Sequence, residues 1–595
     1  MPGQRRADIG RRRFIRVAGG TVAGAAMAGG GTFTAMAAGV FDTPEPDLFG
    51  GMPRSLALSL PGAPGAPGGD QLPPAPPPLP PLPDQLAEGT LSRPGALVDI
   101  PYADEPVNPQ VAENSVPTTL PFQFNKSDHK CVTDLPEALR PWRDRPTAWA
   151  NVTPDNNHTY LDSKGVIQYR PNRTAAGYDQ PVTQIQFGLG CLTGYRIDKD
   201  PARRALFLKR AKAQADRLIE KRVEARGAWY FPYPFNFAHP THSGVVYKAP
   251  WYSGMAQGEA ISLFIQLSQL HGITEEERTT YRAAADGAFA SMLRADDAKP
   301  WAVNRDKNGY LWIQEYPINA PGTSDYTYNG MIFAMFGLWD YFQATGNPLA
   351  EQLYDGSLTT IRDHFPRLRN ARWYSYYCGT HRIPAPTYHQ HHINLLRQLH
   401  WQTGSPTIAN RHDQLIDDFP AYGLRSGSVA AIAAGTHTLY ALDTLGAAGS
   451  FGWSASKADR QLATKKVTFA KATQAPVNVR RRIMGRGIYY RINAGSYAGW
   501  WIGEAFPKVF LRGEYVSTTY RPQRNATFPA GVEITCVKFG ANGTTGSTKT
   551  VKFAKESNAP FDRRAVVNGR PMVRITAGGL NGYWAPTAQV LTDGR

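Results

Sequence analysis

Apolar positions recur at three- and four-residue spacing through residues 181–424, and the stretches that carry them come in pairs. PVTQIQFGLGCLTGY is followed by PARRALFLKRAKAQADRLIEKRV, and SGMAQGEAISLFIQLSQLHG by TEEERTTYRAAADGAFASMLR. YNGMIFAMFGLWDYFQATG precedes NPLAEQLYDGSLTTIRDHF, and YHQHHINLLRQLHWQTG precedes SPTIANRHDQLIDDF. In each pair a strongly apolar helix is joined to a more polar one across a short Gly, Asn or Pro turn. That alternation predicts an inner and an outer row, and hence an (α/α) toroid or barrel. A heptad bundle fits less well, because the helices are short and the loops between them are long and aromatic.

Elsewhere the period changes to two. Residues 98–180 carry short strand-like runs such as YLDSKGVIQYRP, in which Gly165 separates two halves. Residues 425–595 contain a repeat: TFAKATQAPVNVRRR, from Thr468, matches KFAKESNAPFDRRAV, from Lys552, with Ala475-Pro476 and Ala559-Pro560 84 residues apart. Upstream, AAGTHTLYAL at Ala433 resembles PAGVEITCVKF at Pro529. The reading is a multidomain α+β chain with two β-rich repeat modules, 425–516 and 517–595, after the helical domain. Trp500, Trp501, Tyr583 and Trp584, set among arginines, are expected either to be displayed by these sheets or to pack inside them.

The N-terminal part is of another kind. Arg11-Arg12-Arg13-Phe14-Ile15-Arg16, a weakly apolar Gly/Ala run and Ala35-Met36-Ala37 form a twin-arginine leader over residues 1–37. Export from a bacterial cell follows, to the cell wall or beyond, with no transmembrane segment once the leader is removed. Residues 38–97, rich in Pro and Gly, cannot build a core and act as a spacer.

The net charge of +17 is uneven: +5 in the leader, +16 over residues 425–595, and −4 in the body between. The C-terminal modules are therefore the expected contact with an anionic wall polymer or polyanionic substrate, and no nucleic-acid partner is expected. Cys131, Cys191, Cys378 and Cys536 show no CxxC spacing, which argues against a metal knuckle. Export permits disulfides without revealing a pairing, and Cys191 reads as a buried small hydrophobe.

Candidate chemistry concentrates in three places. In PTYHQHHINLL, Thr387 and Gln390 form a capping box after Pro386, so that Tyr388 becomes the first helical residue with His392 on its face. The positive helix end would lower the phenol of Tyr388 and disfavour imidazolium at His389. Histidines 389, 391 and 392, with 381, could instead ligate zinc, but no HExxH spacing accompanies them. The second place is WIQEYPINAPGTSDYTYNGM, with Glu315 and Tyr316 in a loop before a buried helix. The third is RWYSYYCGTH, with aromatics from Trp373 to Tyr377.

WYFPYPFNFAHPTHSGVVYKAPWYSGMAQGEAISL, EYP…YNGMIFAMFGLWDY and YHQHHINLLRQL, in this order, closely resemble blocks of the D-glucuronyl C5-epimerase family. The similarity runs from about Tyr169 to Leu399. It implies an α/α barrel that inverts C5 of glucuronate in a polymer without a redox cofactor, chiefly through tyrosines with an acidic neighbour. Tyr316 and Glu315 match the EYP block, Tyr388 the first residue of YHxxHI, and Tyr377 the tyrosine of YDLRH, with Tyr374 and Tyr376 as alternatives. Cys378 stands where that last block has Asp, so the carboxylate-binding arginine is open between Arg382 and Arg372. His389, His392, Asn329, Tyr252 and Gln257 complete the expected substrate contacts. The resemblance leaves room for a structural calcium ion, although no acidic loop marks its site. Two other readings stay open: a polysaccharide lyase, since β-elimination starts with the same proton abstraction, and a non-catalytic polysaccharide or wall binder.

Overall fold

A computed structural model of the chain describes residues 120–135, 152, 154, 161–170, 177–239, 246–295, 299–317, 324–420, 424, 427–444, 459–540 and 543–594. The leader and the Pro/Gly spacer lie outside the described residues.

Eight helices among the described residues form four consecutive pairs: α1 (Pro181–Ile197) and α2 (Pro201–Lys221), α3 (Gly254–Ser268) and α4 (Glu275–Met292), α5 (Tyr328–Thr345) and α6 (Pro348–Leu368), α7 (Pro386–Thr403) and α8 (Pro406–Asp418). Local chemistry sets their ends. Prolines open α1, α2, α6, α7 and α8, where the missing N–H is not needed. Asp200, Ser253, Asn347 and Ser405 cap the first turns of α2, α3, α6 and α8, and Thr274 with Glu277 forms a full capping box on α4. Gly346 and Gly404 end α5 and α7 in the left-handed conformation at φ 65° and 68°.

The apolar member of each pair lines up on the next: α1 packs on α3, α3 on α5, and α5 on α7, while α2, α4, α6 and α8 each cover their own partner. Helices α3 and α5 touch backbone to backbone. A Cβ on Gly337 would collide with the Gly258 carbonyl oxygen, and one on Gly258 with Ala334. This close approach leaves no room for alanine and explains why both helices keep a glycine at mid-length, where it otherwise costs about 1 kcal/mol. The pairing of an apolar helix with a more polar one agrees with the expectation, in a chain that mixes these helices with several antiparallel sheets.

Residues 161–170 and 177–178 contribute isolated bridges, Leu161 to Ile167 and Tyr169 to Tyr178, rather than full strands. Gly165 makes the turn between them at φ 82°, with its N–H on the Asp162 carbonyl at 2.9 Å.

The C-terminal region holds two seven-stranded antiparallel sheets with one strand order. The first runs 509–511, 429–432, 473–482, 488–492, 501–503, 435–443, 460–469; the second runs 591–592, 514–528, 557–567, 570–575, 584–586, 533–539, 545–552. Ala475-Pro476 and Ala559-Pro560 occupy corresponding strands. The expected boundary after residue 516 falls inside the strand Glu514–Phe528.

Many of the arginines here point inward. Arg480 and Arg481 are buried and pair with Glu504 at 2.9 Å and Asp459 at 3.0 Å, and Arg563 pairs with Glu514 at 2.7 Å. Others dock the sheets onto α8: Arg524 meets Asp413 at 2.9 Å, Arg564 meets Asp417 at 2.7 Å, and Arg482 donates to the Asp417 and Asp418 carbonyls. Trp500, Trp501 and Trp584 are buried in the sheet cores and Tyr583 is half-buried, which decides between the two expectations in favour of packing. Among the described residues no helix is long and apolar enough to cross a membrane, and the four cysteines are buried and free.

Candidate active site

The loops before helices α5 and α7 are stitched together. Thr327, the residue preceding α5, forms an isolated bridge with Cys378 in the loop before α7. That bridge sets the start of α5 beside Tyr377. Glu315 lies against the α5 N-terminus with its carboxylate over Gly330, where any Cβ would strike it. It accepts from the Asn329 side-chain amide at 3.3 Å, and Thr327, Tyr316 and the Gly330 N–H lie close enough to favour its charged form. Burial pushes its carboxyl up to about 7, and these neighbours only partly offset that rise.

Tyr316, Tyr377 and Tyr388 form one cluster with Cys378 and Ala385. Tyr377 and Tyr388 meet edge to face at 4.6 Å between ring centroids, and the Tyr377 hydroxyl bonds both Tyr316 and Tyr388. Burial raises all three phenols well above their ordinary range, and the Glu315 charge adds to this. The expectation that the helix end lowers Tyr388 is therefore corrected: loss of water outweighs the dipole here. The register differs too. Helix α7 starts at Pro386, preceded by Ala385 without a side-chain cap, so Tyr388 is its third residue; the side chain of Thr387, the expected cap, lies outside the described residues.

The histidines of α7 do not converge on a metal. His389 Nδ1 accepts from the Ser375 N–H at 2.9 Å, and its Nε2 donates to the carbonyls of Leu415 and Phe419 at 3.0 and 3.1 Å. Those contacts require the neutral Nε2–H form, in line with burial pushing this imidazole down to about 4. His392 Nδ1 lies 2.9 Å from the Ser375 hydroxyl. Both rings thus hold the 375–377 segment in place. His391 has its ring 5.9 Å from that of Tyr388.

The other expected contacts separate. Asn329 supports Glu315. Gln257 is buried, and its amide is spent on the Phe231 N–H, the Trp229 carbonyl and Ser291. Tyr252 packs with Tyr230 and Ala228 in a different cluster. Tyr374 stacks on Phe419 at 3.9 Å, and Tyr376 lies under the Arg382 guanidinium at 4.7 Å, so Tyr377 is the one that joins the other two phenols. Arg382 and Arg372 are both exposed, and Arg372 reaches the Arg486 carbonyl at 3.4 Å.

Four residues that no sequence reading named complete the surroundings. Tyr247 and Trp251 flank Tyr316, at ring separations of 5.9 and 6.3 Å. His239 meets the Tyr316 ring edge to face at 4.6 Å, and its Nε2 lies 3.1 Å from the buried carboxylate of Asp325. For His239, Tyr247 and Trp251 the signal was present in the stretch PYPFNFAHPTHSGVVYKAPW, but linear spacing could not say which of its rings would face Tyr316.

Linked phenols beside a carboxyl that titrates near neutrality are suited to moving protons on either side of a carbon acid, the class of chemistry used by racemases and epimerases. Residues 225–416 match the family model described as D-glucuronyl C5-epimerase C-terminus, which supports the family that the motifs resemble and points to a carbohydrate epimerase. The match covers about a third of the chain, ending within α8. A curated relative, an uncharacterized protein of Methanocaldococcus jannaschii (MJ1128), is 24% identical over 260 residues, covering 39% of this chain and 82% of its own length.

Proposed function

We propose that the protein inverts C5 of D-glucuronate residues within a polysaccharide. The observation that carries this reading is the shared cluster of Tyr316, Tyr377 and Tyr388 with Glu315 at one end. The C5 hydrogen lies next to a carboxylate, so its removal leaves a carbanion stabilised by that group and by nearby hydrogen-bond donors. Tyr316 takes the C5 proton while handing its own to Glu315, whose raised carboxyl is matched to that exchange. Tyr388, linked through Tyr377, returns a proton to the opposite face. The neutral phenols favoured by burial are the form needed on the donating side. His389, His392 and Ser375 position the loop that carries Tyr377, and none of these steps calls for a redox cofactor.

The finer features belong to the same proposal. The leader exports the chain, and the C-terminal sheets hold an anionic polymer through exposed lysines such as Lys466, Lys471, Lys549, Lys552 and Lys555, since many arginines there are internally paired. Incubation with heparosan or a glucuronan in deuterated water tests the chemistry. Deuterium at C5 in intact chains is expected. Unsaturated, ultraviolet-absorbing ends would make the protein a lyase, and absence of both on every uronate polymer tried would leave a binder.

A further inference from the structure

We propose that Asp325, Cys378 and His381 form a three-ligand site for a zinc-class divalent cation on the flank of the tyrosine cluster. Their ligand atoms all lie within 4.8 Å of one another. His381 Nδ1 is 3.2 Å from Asp325 Oδ1 and 3.3 Å from Cys378 Sγ. A tetrahedral zinc with bonds of about 2.0–2.3 Å to O, N and S places such atoms roughly 3.3–3.6 Å apart. Both contacts converge on a single ring nitrogen. One imidazole proton cannot serve a carboxylate and a sulfur at full strength, whereas a cation between the three atoms satisfies them together.

The frame around the three is organised for this. Cys378 and His381 sit in one tight turn, closed by the Arg382 N–H on the Cys378 carbonyl at 3.3 Å. The turn is pinned to the segment carrying Asp325 by the Gly379 N–H on the Tyr326 carbonyl at 3.0 Å and the Thr380 hydroxyl on the Ser324 carbonyl at 3.1 Å. Tyr326 and Arg382, each next to a ligand, adopt φ of 55° and 49°, a conformation side chains hold only when their surroundings impose it. His239 Nε2, 3.1 Å from Asp325 Oδ2, orients the carboxylate in the manner of an outer-shell partner.

Three protein ligands leave one tetrahedral position for water or a substrate oxygen. Cys378 packs in the cluster of Tyr377 and Tyr388. The cation would therefore supply the positive partner for the uronate carboxylate, a role for which Arg372 and Arg382 point elsewhere. This second half rests on the epimerase reading; the binding half does not.

The test uses the full chain, stripped with chelator and titrated with zinc or cobalt alone, its fold checked by circular dichroism. One zinc per chain and a near-ultraviolet thiolate-to-cobalt charge-transfer band are expected. Cys378→Ser should abolish the band and weaken zinc binding at least about 100-fold, while His239→Gln should weaken it about 10- to 100-fold. Cys536→Ser should change neither. If Cys378→Ser does not fold, His381→Ala in the same assay carries the decision. Folded wild-type protein that binds no zinc, or shows a band that survives Cys378→Ser and His381→Ala, overturns the site. If the site binds zinc but C5 exchange persists undiminished in zinc-free protein, the role in carboxylate binding is overturned while the site stands.

Discussion

Glu315 and Asp413 are buried to almost the same degree, 6% and 5% exposed, yet burial has opposite outcomes in them. Glu315 faces amide, hydroxyl and phenol donors with no cation among its hydrogen-bond partners, so desolvation wins and its carboxyl rises to about 7. Asp413, on α8, suffers desolvation too, but Arg564, His412 and Arg524 outweigh it and hold the group well below the usual carboxylate range. It accepts from Arg524 Nη1 at 2.9 Å and from the Tyr520 hydroxyl at 2.7 Å, tying the helical domain to the second sheet. One carboxyl is poised to exchange a proton, and the other is locked as an anion to hold two regions together. The neighbours decide, because a full charge nearby contributes more than several neutral dipoles.

The largest expected effect separates the two outright. Glu315→Gln should lower C5 exchange by about 10²–10⁴-fold, the usual worth of a positioned acid–base group. The same substitution should stabilise the fold at pH 8, by up to about 3 kcal/mol for a shift of this size, and change little at pH 4. The sign follows from the raised pKa: the folded state binds the extra proton, so the wild type loses stability as pH climbs from about 4.5 to about 7. Denaturation midpoints across that range check it, and a Glu315→Gln variant less stable than wild type at pH 8 would break the contrast.

Asp413→Asn should act in reverse, costing about 3–5 kcal/mol because Arg524 is left buried without its charge partner. Exchange measured on the folded fraction should change less than about threefold. Its pH dependence is also opposite: a depressed carboxyl contributes fully above its unfolded pKa of about 3.9, and that contribution is lost as pH falls below it. Acid unfolding of the wild type should accordingly begin near pH 4 and be blunted in the Asp413→Asn variant. In a scan of tyrosines, Tyr316→Phe and Tyr388→Phe should each cost about 10²-fold or more in exchange. The smallest effect is expected for Tyr374→Phe, which keeps its stacking on Phe419 and should leave exchange within about twofold of wild type.

A similar contrast separates the histidines. PTYHQHHINLL crowds His389, His391 and His392 into one helical turn, yet His389 and His392 are spent on backbone and Ser375 contacts. The pair that meets Asp325, His239 and His381, is 142 residues apart in the chain. Density of a residue type along the chain was a poor guide to convergence in space. The run Arg480-Arg481-Arg482 teaches the same lesson about charge: it reads as a basic patch, but Arg480 and Arg481 are buried against acids.

Local order was legible without any structure. The four helix pairs follow from apolar spacing and from Pro, Ser, Asn and Gly at their ends, because capping and φ restriction act within a few residues. Glu315, Tyr316 and Tyr388, which meet in one cluster with Tyr377, were also named beforehand, because the motifs EYP and PTYH that carry the family resemblance are short and contiguous. Tertiary structure alone decided which tyrosine of Tyr374, Tyr376 and Tyr377 joins the cluster, which way each carboxyl and phenol shifts, and where Asp325, Cys378 and His381 meet. Those outcomes depend on solvent exclusion and on contacts between segments far apart in sequence, and neither quantity is carried by the residues on either side.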